Sequence, residues 1–207
     1  MNAPFQSSRK VVNRTERTVT MLTVAKLRVR GLEGLCRIRN ISPGGLLLET
    51  RLQLDCGDHV EIELRQQRVV SGRIVWVRSG KAGLAFDVPE AVDVLLPARN
   101  GRPSRIRREP QPRGPRLQMD CAVEVRLPDG RAEAQLRDIS QGGAKLSVPF
   151  RTRVGERLLL LVPGLPLKLA IVRWVRGEVG VAFAEPLGFD LLADWLVARS
   201  GGFQRGR

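Results

Sequence analysis

The chain has 207 residues, 43% of them hydrophobic, and a formal net charge of +14; this is enough apolar material for two cores and more length than one minimal domain needs. No run approaches the roughly 18 to 20 consecutive apolar residues that cross a bilayer, and residues 1–17 lack the apolar stretch of a secretory signal. The composition therefore points to a cytoplasmic protein with no transmembrane segment.

In chain order, a basic segment comes first: residues 1–30 hold seven Lys/Arg and one acid. Short, β-branched, alternating runs follow at roughly ten-residue intervals, the pattern of an antiparallel barrel or sandwich. Strands are expected near 22–30, 34–40, 45–50, 58–65, 68–78 and 82–87, with Gly31-Leu-Glu-Gly34 as the first turn. Pro89-Glu-Ala-Val-Asp-Val-Leu-Leu96 begins with proline and stops before Pro97, so a short helix is expected there. Residues 99–112 are rich in arginine and proline and poor in apolar side chains. Such a segment does not fold alone and reads as a linker.

A second set of strands is expected near 119–127, 131–138, 143–149, 156–162, 166–176 and 179–184, with a hairpin turn at Pro128-Asp-Gly130. The span 189–198 has apolar residues at 189, 192, 195 and 196 and acids at 190 and 194. It predicts an amphipathic helix whose apolar face, with Trp195 as a core anchor, covers one end of the second barrel. The charge follows this division. Residues 31–98 sum to −1 and 117–198 to zero, while 1–30 and 99–116 each carry +6 and 199–207 carry +3. The bodies are neutral and the flanking arms are basic.

The two halves are copies. Asn40-Ile-Ser-Pro-Gly-Gly45 recurs as Asp138-Ile-Ser-Gln-Gly-Gly143, and the same offset carries Gly57 onto Gly155 and Trp76-Val-Arg78 onto Trp174-Val-Arg176. After a one-residue deletion, Gly83-Leu-Ala-Phe86 matches Gly180-Val-Ala-Phe183. Ordered landmarks at a fixed offset indicate duplication. The reading is residues 1–98 as a first domain, 99–112 as linker and 113–207 as a second.

These landmarks (basic segment, strand, D/N-x-S-x-x-G turn, then strands ending in W-V and G-hydrophobic-A-F) resemble the PilZ family over nearly the whole chain, twice. The resemblance implies an all-β fold of two tandem six-stranded antiparallel barrels, each followed by a short helix. It also implies binding of cyclic di-GMP through an RxxxR motif and a [D/N]xSxxG motif. The second motif is complete as Asn40, Ser42 and Gly45, and again as Asp138, Ser140 and Gly143. The arginine motif departs from the family. Arg17 and Arg116 match its second arginine, but Asn13 and Pro112 stand four residues upstream, and the nearest arginines, Arg14 and Arg113, make RxxR.

The residue types suit the chemistry independently of the family. Asn, Asp and Ser exchange short hydrogen bonds while holding a tight turn, and glycine permits positive φ and close approach of a flat base. A guanidinium donates paired hydrogen bonds to guanine O6 and N7 or to phosphate, and one such guanine contact contributes about 1–3 kcal/mol. A displaced arginine therefore weakens binding without necessarily abolishing it.

Nothing else in the chain suggests an enzyme, a cofactor or a metal. His59 is the only histidine, and it reads as a strand surface residue. Ser79-Gly-Lys81 is no phosphate loop, since Val75 stands where the first glycine belongs. Glu61 and Glu63 alternate as on a solvent face. Cys36, Cys56 and Cys121 have no metal-ligand spacing and read as reduced, buried small side chains. Two alternatives to a cyclic di-GMP receptor remain: an adaptor binding a protein of a motility or envelope system without nucleotide, and nonspecific nucleic-acid binding by the arginine arms. The 4% aromatic content with no tyrosine disfavours the latter.

Overall fold

In the computed structural model, residues 23–64, 68–89, 114–128 and 130–202 are described. They form twelve strands and one helix. The first six strands are β1 (Thr23–Val29), β2 (Leu32–Ser42), β3 (Gly45–Thr50), β4 (His59–Glu63), β5 (Val69–Arg78) and β6 (Lys81–Phe86). They close in the order β1-β2-β3-β6-β5-β4, with β4 returning to β1 and every pairing antiparallel. β7 (Leu117–Leu127), β8 (Gly130–Ser140), β9 (Gly143–Ser147), β10 (Arg157–Leu161), β11 (Lys168–Arg176) and β12 (Glu178–Phe183) close a second barrel in the same order. Helix α1 (Phe189–Gly202) follows. The expected helix at 89–96 lies, beyond Pro89, outside the described residues, as do Arg14, Arg17, Arg113 and the segment 99–112.

Alternation places one side of each strand inside. Leu27, Leu48, Val60 and Ile62 are fully buried in the first barrel, and Val125, Leu136, Leu146 and Val172 in the second. Each contributes about 1.5–3 kcal/mol by leaving water, and a one-residue slip would turn a whole strand's set outward. This is why register is fixed so firmly. The first turn is tighter than the glycine spacing suggests. Arg30 (φ 50) and Gly31 (φ 76) make a two-residue loop of the type that favours positive φ at both positions, and β2 already begins at Leu32.

The duplication extends to irregularities that composition does not reveal. The register shifts between Ile38 and Asn40 and again between Leu136 and Asp138; it also shifts between Ile74 and Trp76 and between Val172 and Trp174. The extra residues are Arg39 and Arg137, Val75 and Arg173, at the same offset as the sequence landmarks. In β2 and β8 the bulge restores the inward phase after a break in alternation, whereas in β5 and β11 no residue beyond the bulge is buried. Ile38 and Ile41 both point into the core, three residues apart, and so do Leu136 and Ile139.

Helix α1 covers one end of the second barrel with Phe189, Leu192, Ala193, Trp195 and Leu196. Trp195 is the expected core anchor, and its Nε1 donates to the Pro163 carbonyl at 2.8 Å. The acids on the other side of the helix are exposed but not unpaired. Asp190 and Asp194 meet arginines of β2 and the loop after β3, so the helix lies between the two barrels.

The cysteine expectation holds for only part of the set. Cys36 is buried and its thiol is pushed up to about 12 by that burial. Cys121 is half-buried, and Cys56 is exposed. Cys56 sits in the turn Asp55-Cys-Gly57, where Gly57 has φ 92 and the Asp55 carbonyl accepts from the Asp58 N–H. A turn apex has no core to enter. His59 is on the surface as expected, 2.8 Å from Asp87. Glu63 is only partly exposed because Lys26, itself 6% exposed, holds it at 2.8 Å.

Candidate ligand site at the turn motifs

The bulge at Arg39 turns Asn40 and Ser42 away from the core while Ile41 points in. Ser42 Oγ donates to the Gly45 carbonyl at 3.1 Å, and Ser140 Oγ donates to the Gly143 carbonyl at 3.2 Å. The hydroxyl proton in each copy therefore ties the turn to itself, leaving the oxygen lone pairs for an incoming donor. The glycines closing the motif serve a different end from the one expected. Neither Gly45 nor Gly143 has positive φ. A Cβ on Gly45 would stand 2.1 Å from the Leu84 carbonyl oxygen, and one on Gly143 would stand 2.1 Å from that of Val181. They are required by the close approach of β6 and β12.

The second copy joins its turn to its arginine segment. Arg116 Nη1 lies 3.1 and 3.3 Å from the two carboxylate oxygens of Asp138. The Asp138 side chain is only 6% exposed, while that of Arg116 is 39% exposed. One nitrogen thus serves both oxygens. The other guanidinium N–H groups make no hydrogen bond among the described residues. Lys145 Nζ stands 3.9 Å from Asp138 and 3.1 Å from Glu178.

In the first copy the matching position is neutral. Asn40 faces Leu47 across the β2–β3 pair, where Asp138 faces Lys145. Its Oδ1 is buried without a hydrogen-bond partner among the described residues. The bulged arginines are engaged elsewhere: Arg39 Nε donates to Glu49 at 2.7 Å and Arg137 Nη1 to Asp120 at 2.9 Å.

Three groups beside the site were not singled out as site residues in the sequence. Gln141, inside the second turn motif, donates from Nε2 to the Leu187 carbonyl at 3.0 Å, while the Leu187 N–H donates to the Gln141 carbonyl at 2.7 Å. Pro43 occupies its place in the first copy and has no such amide. The Lys145–Glu178 pair is the second. The third is Trp174: Asp138, Lys145, Gly180 and Trp174 are consecutive partners across β8, β9, β12 and β11. In the first copy Asn40, Leu47, Gly83 and Trp76 form the same row. The repeated W-V and G-hydrophobic-A-F landmarks were the available signal, since a bulky ring needs a residue without a side chain beneath it.

The sequence profile of the PilZ domain matches residues 12–96 and, separately, 107–195. The chain belongs to the PilZ family. Its two PilZ domains correspond to the two barrels, and the match runs upstream of each first strand into the arginine-bearing segments. No curated protein matches the chain. Among solved structures, the Borreliella burgdorferi PlzA protein in complex with c-di-GMP is 14% identical, with 88% of this chain and 94% of that chain covered and a TM-score of 0.32. The Bacillus subtilis inhibitor of motility MotI/DgrA is 15% identical over 90% of this chain and 100% of its own, with a TM-score of 0.35. Escherichia coli YcgR in complex with c-di-GMP is 13% identical over 88% and 86%, with a TM-score of 0.32.

Among the described residues of the PilZ domains, no group of three or more His, Cys, Asp or Glu side chains could hold a metal ion. Among the described residues, no helix is long and apolar enough to cross a membrane.

Proposed function

We propose that this tandem PilZ protein is a cytoplasmic receptor for cyclic di-GMP, and that the second domain is its main binding site. The observation that carries the reading is the Arg116–Asp138 contact, which brings Arg116 onto the turn motif with its guanidinium partly exposed. Guanidinium donors suit guanine O6 and N7 or a phosphate oxygen. Ser140 offers lone pairs, exposed Gly142 offers a surface free of side chains, and Arg113 supplies a second cation.

Arg14, Arg17, Asn40, Ser42 and Gly45 form a weaker counterpart in the first domain, where Asn40 and Leu47 replace the charged pair. The buried, unpartnered Oδ1 of Asn40 suits a guanidinium donor, the role Arg116 plays opposite Asp138. Segment 99–112 joins the domains, so ligand capture at 113–116 changes how they sit together. The shortened arginine spacing supports a second reading, in which the barrels bind a protein of a motility or envelope system without nucleotide.

Calorimetric titration with cyclic di-GMP decides between them. The receptor reading expects saturable heat that weakens when Arg113 and Arg116 are both changed to Ala. No heat at high micromolar ligand overturns it.

A further inference from the structure

The C-terminal helix belongs to the second barrel by packing but reaches the first. Its acids meet two arginines there: Asp190 lies 3.2 Å from Arg37 and 3.1 Å from Arg51, and Asp194 lies 3.2 Å from Arg51. The Arg37 guanidinium also sits 4.0 Å above the Phe189 ring centroid. Leu35, on the outer wall of the first barrel, is 2% exposed and packs into the second barrel's cluster, while Val197 of the helix packs against the first. At its start the helix is held by the turn motif of the proposed site, through the reciprocal Gln141–Leu187 hydrogen bonds just before Phe189. The same wall strand, β2, ends in the first turn motif only three residues beyond Arg37.

We infer that α1 is an ion-paired clasp holding the first PilZ domain against the second, and that Gln141 ties the clasp to the state of the second turn motif. The second half of this inference rests on the cyclic di-GMP reading; the first half does not. A ligand that moves the Ser140–Gly143 turn moves Leu187 with it, and the base of the helix carries the displacement to Arg37 and Arg51. The first domain has Pro43 at the Gln141 position, without the side-chain amide that makes the tie, so the coupling runs from the second site to the first domain.

The test is an interdomain distance in the full chain, measured by pulsed electron resonance between spin labels on exposed Cys56 and on Val154→Cys, with Cys121→Ser. Without ligand, the clasp requires one narrow distance distribution. It requires that R37E with R51E broadens this distribution and that adding D190R with D194R narrows it again, circular dichroism confirming that each variant is folded. A distribution that ignores the reversal, or that is not restored by the swap, overturns the clasp. With cyclic di-GMP at a concentration that saturates each protein in calorimetry, the distance is expected to shift in the parent and to stay fixed in Gln141→Ala. A shift in Gln141→Ala equal to the parent's overturns the tie. Absence of heat in the parent overturns the receptor reading and the tie with it, leaving the ligand-free arms to decide the clasp.

Discussion

Gly83 on β6 lies directly beneath the indole of Trp76 on β5, so that a Cβ at Gly83 would stand 2.1 Å from the ring nitrogen. The same relationship joins Gly180 to Trp174. Gly83→Ala must displace the ring, which is 43% exposed and free to swing outward. Gly45→Ala meets the Leu84 backbone oxygen instead, which cannot move without its strand. Gly45→Ala is expected to destabilise the first barrel by about 1–3 kcal/mol, and Gly83→Ala by less. Denaturant melts check the order, and only Gly83→Ala should alter tryptophan emission strongly.

The arginine–aspartate contact of the second domain is asymmetric in burial, and its two halves should respond unequally. Arg116→Ala leaves a nearly buried carboxylate with Lys145 at 3.9 Å as its remaining cation, a loss of about 1–3 kcal/mol before solvent screening of the half-exposed arginine reduces it. Asp138→Asn leaves a half-exposed guanidinium that water can solvate, so its loss of stability is expected to be smaller. Equal or reversed losses in urea titrations would show that the contact does not hold the turn.

Thiol chemistry separates the cysteines. Alkylation at mildly alkaline pH should modify Cys56 first, Cys121 slowly and Cys36 only after unfolding, because the thiolate is the reactive species and burial keeps Cys36 protonated. The native state keeps a Cys36 proton that the unfolded chain releases within the ordinary thiol range. Stability is therefore expected to fall as pH rises through that range toward about 12. Mass spectrometry after timed labelling checks the order.

At the acid end the sign is opposite. Asp87 is held below the usual carboxylate range mainly by its hydrogen bond from His59, Glu124 by Arg126, and Glu156 by the Thr152 hydroxyl and the Arg153 N–H. Each contribution is present above the unfolded carboxylate's range and disappears as pH falls through the lowered native values. Asp87 is exposed and Glu124 and Glu156 are partly exposed, so the acid loss should be shallow. Asp87→Asn with Glu156→Gln should flatten it further, as thermal melts from neutral to acid pH would record.

Much of this organisation was readable in the amino acids. Duplication and alternation give twelve strands because each barrel strand buries every second residue, and the turn motifs fall at the β2–β3 and β8–β9 junctions where they were expected. The bulges were not read, although Ile38 and Ile41 standing three apart encode one: broken alternation looks the same whether a strand ends or bulges. Periodicity identified Asp190 and Asp194 as a polar face, but a polar face is equally consistent with water or with arginines from 139 or 153 residues away. The Gln141 contact was invisible for a related reason, since its acceptor is a backbone carbonyl whose position depends on how the chain returns to the barrel. Cys56 misled because cysteine's preference for burial says nothing about a turn.

The reach of helix α1 has a kinetic consequence. Each barrel closes through pairings within its own half of the chain, such as Lys26 with Glu63, whereas Arg37 and Asp190 are separated by 153 residues. Contacts with so long a closure loop form after local ones. The two barrels are therefore folding units of their own, and their union is a later event with a separate free energy. In amide hydrogen exchange, the joint between them should open before either barrel does.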